Sequence, residues 1–414
     1  MYSLSNALRT SLCDLLNIRY PIIQAGMSGF TTPELVAAVS NGGGLGILGA
    51  ARMSSEQTRD AIGKIKKLTS NPYDVNLLLA PPEKGGNQNI NQVQQFFNDK
   101  FRYELKIPSK TEKDIILPPS KFLEQLKIIL EEKIPVISFA MGNLPIQLVE
   151  QIHSLSSSSS SKIMSMVTTV QEAVDVARNG TDIIVAQGAE AGGHRSTFNN
   201  PFENENETLP LIGTMTLVPQ IVDALSRIES NKIQGEKEKA YNIPVIAAGG
   251  IADGRGLVAA LALGAQGVMI GTRFLAASES AAFRAYQERL LAAKESDTII
   301  TRAFSGRPAR GLHNHFIEEY HKSGPQPLAW PYQALAADDI YATAQKQNNA
   351  DYFPLLAGQG VGLLKGIQKY NAERIIQELV TEASQTLSGY CRYLPSVRAP
   401  IESSLLTSLH YQMN

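Results

Sequence analysis

The chain has 414 residues, of which 43% are hydrophobic and 19% charged, so it can bury a large core. Its 38 basic residues nearly balance its 39 acidic residues, and the net charge of -1 argues against nucleic acid or an acidic membrane surface as a partner. Cys13 and Cys391 are too few for a disulfide framework or a cysteine metal site, which suits a reducing compartment. Because it shows no apolar run of about 18 residues and no secretory signal, the sequence predicts a cytoplasmic protein that acts on a small molecule.

Strand and helix signals alternate from the beginning of the chain. Residues 20–24 form a short apolar strand, and Thr32-Pro33-Glu34 supplies the N-cap, first-turn proline and acidic residue of a helix. A second apolar strand at 45–48 precedes Ser54-Ser55-Glu56-Gln57, which has the spacing of a capping box. This order predicts a repeated strand–helix unit.

Six further apolar strands continue the alternation, at 74–79, 134–139, 162–166, from Ile183, at 244–248 and at 267–270. The helices between them are predicted at 121–132, after Pro145, at 169–179 (opened by a capping box), 217–225 and 256–263. Eight strands separated by helices in about 250 residues are typical of a parallel (β/α)8 TIM barrel. We assign this α/β fold to residues 1–297, with a doubly wound open sheet as the alternative.

Polar tracts interrupt the alternation and predict surface insertions. Residues 80–120 are interpreted as irregular surface structure with one short helix, and the insertions at 196–211 and 228–240 are rich in Asn, Glu and Lys. A serine run at 154–161 is predicted to be a loop without chemistry. Residues 298–414 are expected to form a C-terminal extension that packs at the barrel mouth, with a helical pattern at 365–387.

Small and amide-bearing residues predominate at the carboxyl ends of the predicted strands, where a barrel carries its chemistry. They are Ala25, Gly26 and Met27 after the first strand, Asn76 in the third, Gln187 in the sixth, Gly249 and Gly250 after the seventh, and Gly271 and Thr272 after the eighth. The glycines after the last two strands predict backbone N–H groups that hold a phosphate. As an alternative, Gly249, Gly250 and Gly264 serve only as turn and helix-stop residues.

The sixth strand leads into the most informative stretch, residues 183–195 with the sequence IIVAQGAEAGGHR. Its β-branched run gives way to glycines, which let the backbone approach a ligand closely. The stretch ends near His194, whose side chain can move a proton near neutral pH. We interpret His194 as a residue that the strand delivers to a site. The alternative is a histidine that only caps or packs in a loop.

Three other signals carry less weight. Residues 44–49 match the spelling G-x-G-x-x-G but lie within a strand, so we expect no Rossmann nucleotide site there. Residues 313–319 contain two histidines and two glutamates without a metal-binding order, and we predict no metal site. Trp330 and Tyr332, near Tyr320, either cover a bound ring or pack the extension against the barrel.

Taken together, these motifs resemble the nitronate monooxygenases, flavin enzymes formerly called 2-nitropropane dioxygenases. The resemblance covers most of the chain apart from the insertions, and its most specific part is the Glu-Ala-Gly-Gly-His sequence at 190–194. The segments that match are 20–27, 32–35, 41–46, 187–195, 247–251, 270–274, 305–310 and 357–360.

The resemblance implies an FMN-dependent barrel that oxidises alkyl nitronates, such as propionate 3-nitronate, with O₂ to a carbonyl compound and nitrite, without NAD(P)H. It implies that His194 is the base that takes the α-proton of a neutral nitroalkane, whereas a preformed nitronate needs no base. The implied FMN contacts are Ala25, Gly26, Met27, Asn76, Gln187, Gly192, Gly193, Gly249, Gly250, Met269, Gly271 and Thr272. The amides suit the edge of a flavin ring, and Met27 suits its face.

The sequence departs from the family pattern at Gly26, where a proline is common, and at Met269, where a glutamine is common. Two other interpretations stay open: an FMN-dependent NAD(P)H reductase of quinones or enoyl thioesters, and a flavin-binding module without turnover. A phosphate-sugar isomerase is disfavoured because Glu190 is the one strand-end carboxylate that could act as its base. The expected partners are a nitronate or nitroalkane and O₂, with no nucleic acid and no membrane, and a homodimer is one option for assembly.

Overall fold

The computed structural model describes residues 8–79, 88–154, 161–198, 209–227, 243–364 and 371–393. The predicted insertion at 228–240, most of the serine run, and parts of the insertions at 80–120 and 196–211 lie outside these residues, as does the start of the helical pattern at 365–387. Within the described ranges, no helix is both long enough and apolar enough to cross a membrane.

Eight parallel strands form the wall of a barrel. They are β1 Ile22–Gln24, β2 Gly46–Gly49, β3 Tyr73–Leu78, β4 Val136–Ala140, β5 Lys162–Val167, β6 Ile183–Gln187, β8 Val245–Ala248 and β9 Gly267–Ile270, and a short strand, β7 Gly193–His194, lies outside this sheet. The order in the sheet is β1-β9-β8-β6-β5-β4-β3-β2. A parallel bridge between Ile23 and Leu45 joins β1 to the chain just before β2. The predicted (β/α)8 barrel is confirmed.

The helices between the strands begin where their capping residues predict. Thr32 Oγ1 accepts a hydrogen bond from the Leu35 N–H at 3.0 Å, and both predicted capping boxes, at Ser54 and at Thr169, are present. These helices are α2 Pro33–Asn41, α3 Ser55–Leu68, α6 Phe122–Glu131, α7 Ile146–Ser154, α8 Val170–Arg178, α9 Thr214–Ser226 and α10 Gly254–Ala262, numbered along the whole chain.

A short helix that the sequence analysis missed, α1 Ser11–Leu16, closes the amino-terminal end of the barrel. Its Leu12 and Leu16 pack into one cluster with residues inside the barrel such as Val185. Thr10, just before the helix, donates a hydrogen bond to the Gln266 carbonyl at 2.6 Å. Because this end is filled, the opposite end, where the strands finish, is the one that offers a site.

The last described helix, α16 Ala372–Tyr393, packs between α10 and α2 on the outside of the barrel. Its Ile376 and Leu379 lie in one buried cluster with Leu35 of α2 and Leu257 of α10. The buried Arg273 guanidinium donates to Glu378 at 2.9 Å and ties the helix to the loop after β9. This helix therefore completes the ring of helices around the wall, while the division of the chain at residues 297 and 298 stays a prediction.

A second cluster, which we call the cover, contains residues 90–105 and 284–364 and lies over the carboxyl ends of the strands. Its elements are α4 Ile90–Phe97, a π-helical turn Asn98–Arg102, α5 Tyr103–Leu105, α12 Arg284–Ala292, β10 Thr298–Thr301, β11 Ala309–Leu312, α13 His315–Ser323, α14 Tyr332–Ala336 and α15 Asp338–Lys346. A short helix, α11 Thr272–Leu275, leads from β9 toward it.

The expectation that residues 80–120 form irregular surface structure is wrong for 90–105, which runs as a helical rod through the core of the cover. Phe97 and Phe101 are fully buried, and the Phe101 ring stacks on Phe316 at 4.4 Å between centroids. Arg102 is also fully buried and donates to the Asp339 carboxylate at 2.9 Å. The apolar residues are spaced four apart among Asn and Gln, which made the stretch look like a polar loop.

Candidate active site

His194 lies where the barrel meets the cover. Strand β7, which carries it, pairs in antiparallel fashion with β11, so that His194 faces Ala309. Its Nε2 is 2.7 Å from the Ser305 Oγ, and the Trp330 ring meets the imidazole edge-on at 5.3 Å between centroids. Both neighbours of the ring therefore come from the cover, although the histidine itself follows a barrel strand.

Three arginines hold the segment around His194 by its backbone. Arg195 is fully buried and donates to the carbonyls of Gln187 and Gly188, and Arg310 donates to the Ala189 carbonyl at 2.9 Å. Arg307 donates to two carbonyls further along the same segment. Because a guanidinium presents its donors in a fixed fork, these bonds restrict where the histidine can sit.

The surroundings of His194 keep the imidazole neutral. Burial, followed by the positive charges of Arg307 and Arg52, lowers the pKa of His194 to about 3. A histidine with such a pKa carries no proton on its second nitrogen at pH 7, so it is ready to accept one. The same arginines make this part of the mouth attractive to an anion.

The amides of Asn76 and Gln187 play different parts. The Asn76 Nδ2 donates to the Ser138 Oγ at 3.0 Å, and its Oδ1 has no hydrogen-bond partner among the described residues. The Gln187 Nε2 donates to the His194 carbonyl at 3.0 Å, and its Oε1 accepts from the Ser196 N–H at 2.9 Å. Asn76 therefore presents a free acceptor at the mouth, whereas Gln187 mainly braces the histidine segment.

Small residues form the floor of the mouth beside Asn76. A Cβ added at Gly26 would lie 2.9 Å from the Asn76 Cβ, so this position has no room for a side chain. A Cβ added at Gly271 would reach the Ala25 Cβ at 3.5 Å and the Met27 Sδ at 3.7 Å. Ala25, Gly26, Met27 and Gly271 are thus brought together, as the sequence analysis expected of strand-end residues.

The glycine corner of the mouth is held by residues 357–360 of the cover. A Cβ added at Gly192 would lie 2.5 Å from the Gly358 nitrogen, and the Gly358 N–H donates to the Thr272 Oγ1 at 3.0 Å. A Cβ added at Gly360 would lie 3.0 Å from the Gly250 carbonyl oxygen. Gly250 directly follows Gly249, so the two predicted glycine turns lie next to each other.

Gly193 and Met269 occupy contrasting places. Gly193 has a φ of +80°, and a Cβ added there would meet no atom within 4 Å, so its backbone borders open space. Met269 is buried with residues inside the barrel wall, such as Ile23 and Val185. Only the backbone of Met269 is therefore available to a ligand at the mouth.

The weaker signals are resolved by their contacts. Tyr320 is buried among the aromatic rings of the cover, whereas Trp330 reaches the histidine. The His315 Nε2 pairs with the Glu104 carboxylate at 3.0 Å, far along the chain from the sequence that suggested a metal. In the part of the chain that the structure describes, no group of three or more His, Cys, Asp or Glu side chains could hold a metal ion. Gly46–Gly49 is a strand.

Sequence reasoning assigned no role to Ser305, Trp330 or Arg52. Ser305 is 111 residues from His194 along the chain, and no local spacing connects the two. Arg52 lies in the loop after β2 and has no motif around it. Only Ser305 lay in a segment already singled out, 305–310, so its place in that segment was the one signal that could have found it.

Comparisons with known proteins agree with this geometry. The model of the nitronate monooxygenase family matches residues 9–382. A probable nitronate monooxygenase of Staphylococcus saprophyticus is 37% identical over 386 residues, which is 92% of this chain and 99% of that protein. One from Staphylococcus aureus strain Newman is 36% identical over 379 residues, 92% of this chain and 98% of that protein.

Solved structures give the same picture. The crystal structure of nitroalkane oxidase from Streptomyces ansochromogenes superimposes with a TM-score of 0.76 at 28% identity, covering 92% of this chain and 100% of that chain. FabK from Thermotoga maritima superimposes with a TM-score of 0.67 at 29% identity, covering 93% and 99%. The family match over nearly the whole chain decides between them: this chain belongs to the nitronate monooxygenase family of flavin-dependent oxidoreductases.

Proposed function

We propose that this protein uses FMN and O₂ to oxidise alkyl nitronates of the propionate 3-nitronate type to a carbonyl compound and nitrite, without NAD(P)H. The observation that carries the proposal is a neutral histidine, held beside two arginine charges, across a mouth lined by glycines and one free amide oxygen. Family membership supplies the reaction class, and this arrangement suits a small anionic substrate.

The residues at the mouth fit a flavin. The free Oδ1 of Asn76 suits an N–H on the edge of the ring, and Ala25, Gly26 and Met27 leave a flat floor with a polarisable sulfur. The backbone N–H groups of Gly250, Gly271 and Thr272 lie after the last two barrel strands, the corner where this fold commonly holds a phosphate. A flavin bound there supplies the redox chemistry, and the protein binds and orients it.

His194 has the narrower task of moving one proton. Its Nε2 faces the Ser305 Oγ, so its Nδ1 is the nitrogen left to accept the α-proton of a neutral nitroalkane. Ser305 can pass its own proton to the Arg307 carbonyl, at 3.3 Å, which lets it accept from Nε2–H and fix the ring. The imidazolium that results pairs with the nitronate anion.

The test is nitrite release by the purified, FMN-loaded protein in air, with propionate 3-nitronate and no NAD(P)H, against free FMN at the same concentration. We expect rapid release from the protein and little from the control. Release no faster than with free FMN would overturn the proposal.

The NAD(P)H reductase remains the second candidate because the FabK structure is 29% identical to this chain over nearly all of its length. Anaerobic mixing of the flavin-loaded protein with NADH separates the two functions. Rapid bleaching of the flavin, without nitrite release in the first experiment, would favour the reductase. Neither nitrite nor bleaching would favour a binding module without turnover.

A further inference from the structure

The loop after β2 presents one arginine to the mouth on a rigid turn. The Met53 N–H donates to the Ala50 carbonyl at 2.9 Å, which closes a turn around Arg52. Gln125, which is buried, donates to the carbonyls of both Ala50 and Met53, at 2.8 and 3.0 Å. The Ala50 N–H in turn donates to the Asn76 carbonyl at 3.1 Å. The turn is therefore fixed to the strand that carries the free amide oxygen of the site.

The Arg52 side chain is exposed and has no hydrogen-bond or ion-pair partner among the described residues. The arginines around the histidine segment are different, because Arg195 and Arg307 are buried and their donors are used by backbone carbonyls. Arg59, on the neighbouring helix α3, is paired with Glu131 and Glu132. Arg52 is thus a cation at the mouth that the described part of the protein leaves available.

The charge of Arg52 reaches the site from one defined side. It lowers the pKa of His194, and it opposes the rise that burial imposes on the pKa of Tyr341. Tyr341 donates its hydroxyl proton to the Phe304 carbonyl, next to Ser305. The guanidinium is therefore close to both the imidazole and the serine side of the mouth, across which a substrate beside His194 must lie.

We propose that Arg52 binds a carboxylate carried by the substrate, one methylene from the nitronate carbon, and so selects doubly charged nitronates over simple alkyl nitronates. This inference rests on the proposed function. A guanidinium binds a carboxylate through two parallel N–H···O bonds, which suits an anionic end that points out of the mouth. His194 and Arg52 then hold the two ends of one small molecule.

The test compares two substrates that differ in one group: propionate 3-nitronate and propyl-1-nitronate, which has a methyl group in place of the carboxylate. In Arg52→Ala, we expect kcat/KM for propionate 3-nitronate to fall at least about tenfold, mainly through KM, as the loss of one charge-assisted hydrogen bond predicts. We expect propyl-1-nitronate to change by less than about twofold. Arg52→Lys should restore part of the loss, and Arg59→Ala, with its exposed and paired arginine, is the matched control.

Salt provides a second measurement. In the wild type, raising the ionic strength should raise KM for propionate 3-nitronate more than for propyl-1-nitronate, and this difference should disappear in Arg52→Ala. Equal losses on both substrates, weaker retention of FMN by the variant, or no change on either substrate would overturn the assignment. If the wild type oxidises neither substrate, the proposed function itself fails. If it oxidises both while Arg52→Ala behaves as wild type, only the role of Arg52 fails.

Discussion

The barrel and the cover contribute different kinds of groups to the mouth. The barrel supplies backbone and amides: the glycines after β8 and β9, the floor beside Met27, and the free oxygen of Asn76. The cover supplies the groups that govern the histidine, namely Ser305, Arg307 and Trp330. The wall is thus suited to hold a ligand, whereas proton chemistry depends on contacts between the two regions.

This difference teaches that a site can be divided by task as well as by sequence. If the division holds, changes at the histidine and in the cover should affect proton removal, and they should spare substrates from which no proton must be taken. Changes that only loosen the cover should appear as lost stability. The predictions below test these statements.

The largest expected effect is that of His194→Asn on a neutral nitroalkane. We expect kcat/KM for nitroethane to fall about 10²- to 10⁴-fold, because the general base is lost, while ethylnitronate is oxidised at a similar rate. Steady-state nitrite release with each substrate measures this. Equal losses on the two substrates would remove the base from the mechanism and, with it, the division between the regions.

The next effect concerns the cover as a folded unit. Phe101→Ala removes a fully buried ring that stacks on Phe316, and we expect the free energy of unfolding to fall by about 3–5 kcal/mol. Urea denaturation of the two proteins side by side gives the value. Tyr103→Ala is the control, because Tyr103 is 78% exposed on the same helical rod and should change little. A similar cost for both variants would mean that residues 90–105 do not belong to the core of the cover.

A smaller effect is expected at the contact between the regions. Ser305→Ala removes the oxygen that faces the histidine Nε2 at 2.7 Å, and kcat for nitroethane should fall about tenfold, with ethylnitronate unaffected. Ser323→Ala, an exposed serine on α13, is the control and should leave both rates unchanged. A loss of ethylnitronate oxidation in Ser305→Ala would show that the serine serves the ligand site rather than the base.

The smallest expected effect is an absence of change with pH. Because the pKa of His194 is lowered to about 3, kcat/KM for nitroethane should show no loss due to this histidine between pH 8 and pH 5. A base with the ordinary histidine pKa near 6.5 would instead lose about tenfold per unit below that value. A fall that follows a pKa of 6.5 would show that the histidine is not kept neutral by burial and the arginines.

The same shift has a consequence for stability with a definite sign. Between about pH 6.5 and pH 3 the unfolded chain protonates His194 and the folded chain does not, so folding becomes less favourable as the pH falls through this window. Thermal unfolding of His194→Asn should therefore be less sensitive to acid than that of the wild type over the same range.

Local signals in the sequence predicted the barrel well, because each depends on neighbouring residues. Thr32, Ser54 and Thr169 cap helices through bonds within three positions, and the strand ends followed from the apolar runs. The partners of His194 could not be predicted in this way, since Ser305 and Trp330 reach it only after the cover has folded over the mouth. The rod at 90–105 was missed because its apolar period is hidden among amides.

The position of α16 has a consequence for how the chain folds as it is made. This helix lies between α2 and α10, yet it follows the whole cover in the sequence. The outer layer of the barrel therefore stays open on one side, with Leu35, Val39 and Leu257 uncovered, until the ribosome has synthesised residues beyond Ala372. Such a nascent chain exposes an apolar stripe to other proteins throughout nearly all of its synthesis, and its barrel reaches full stability only near the end of translation.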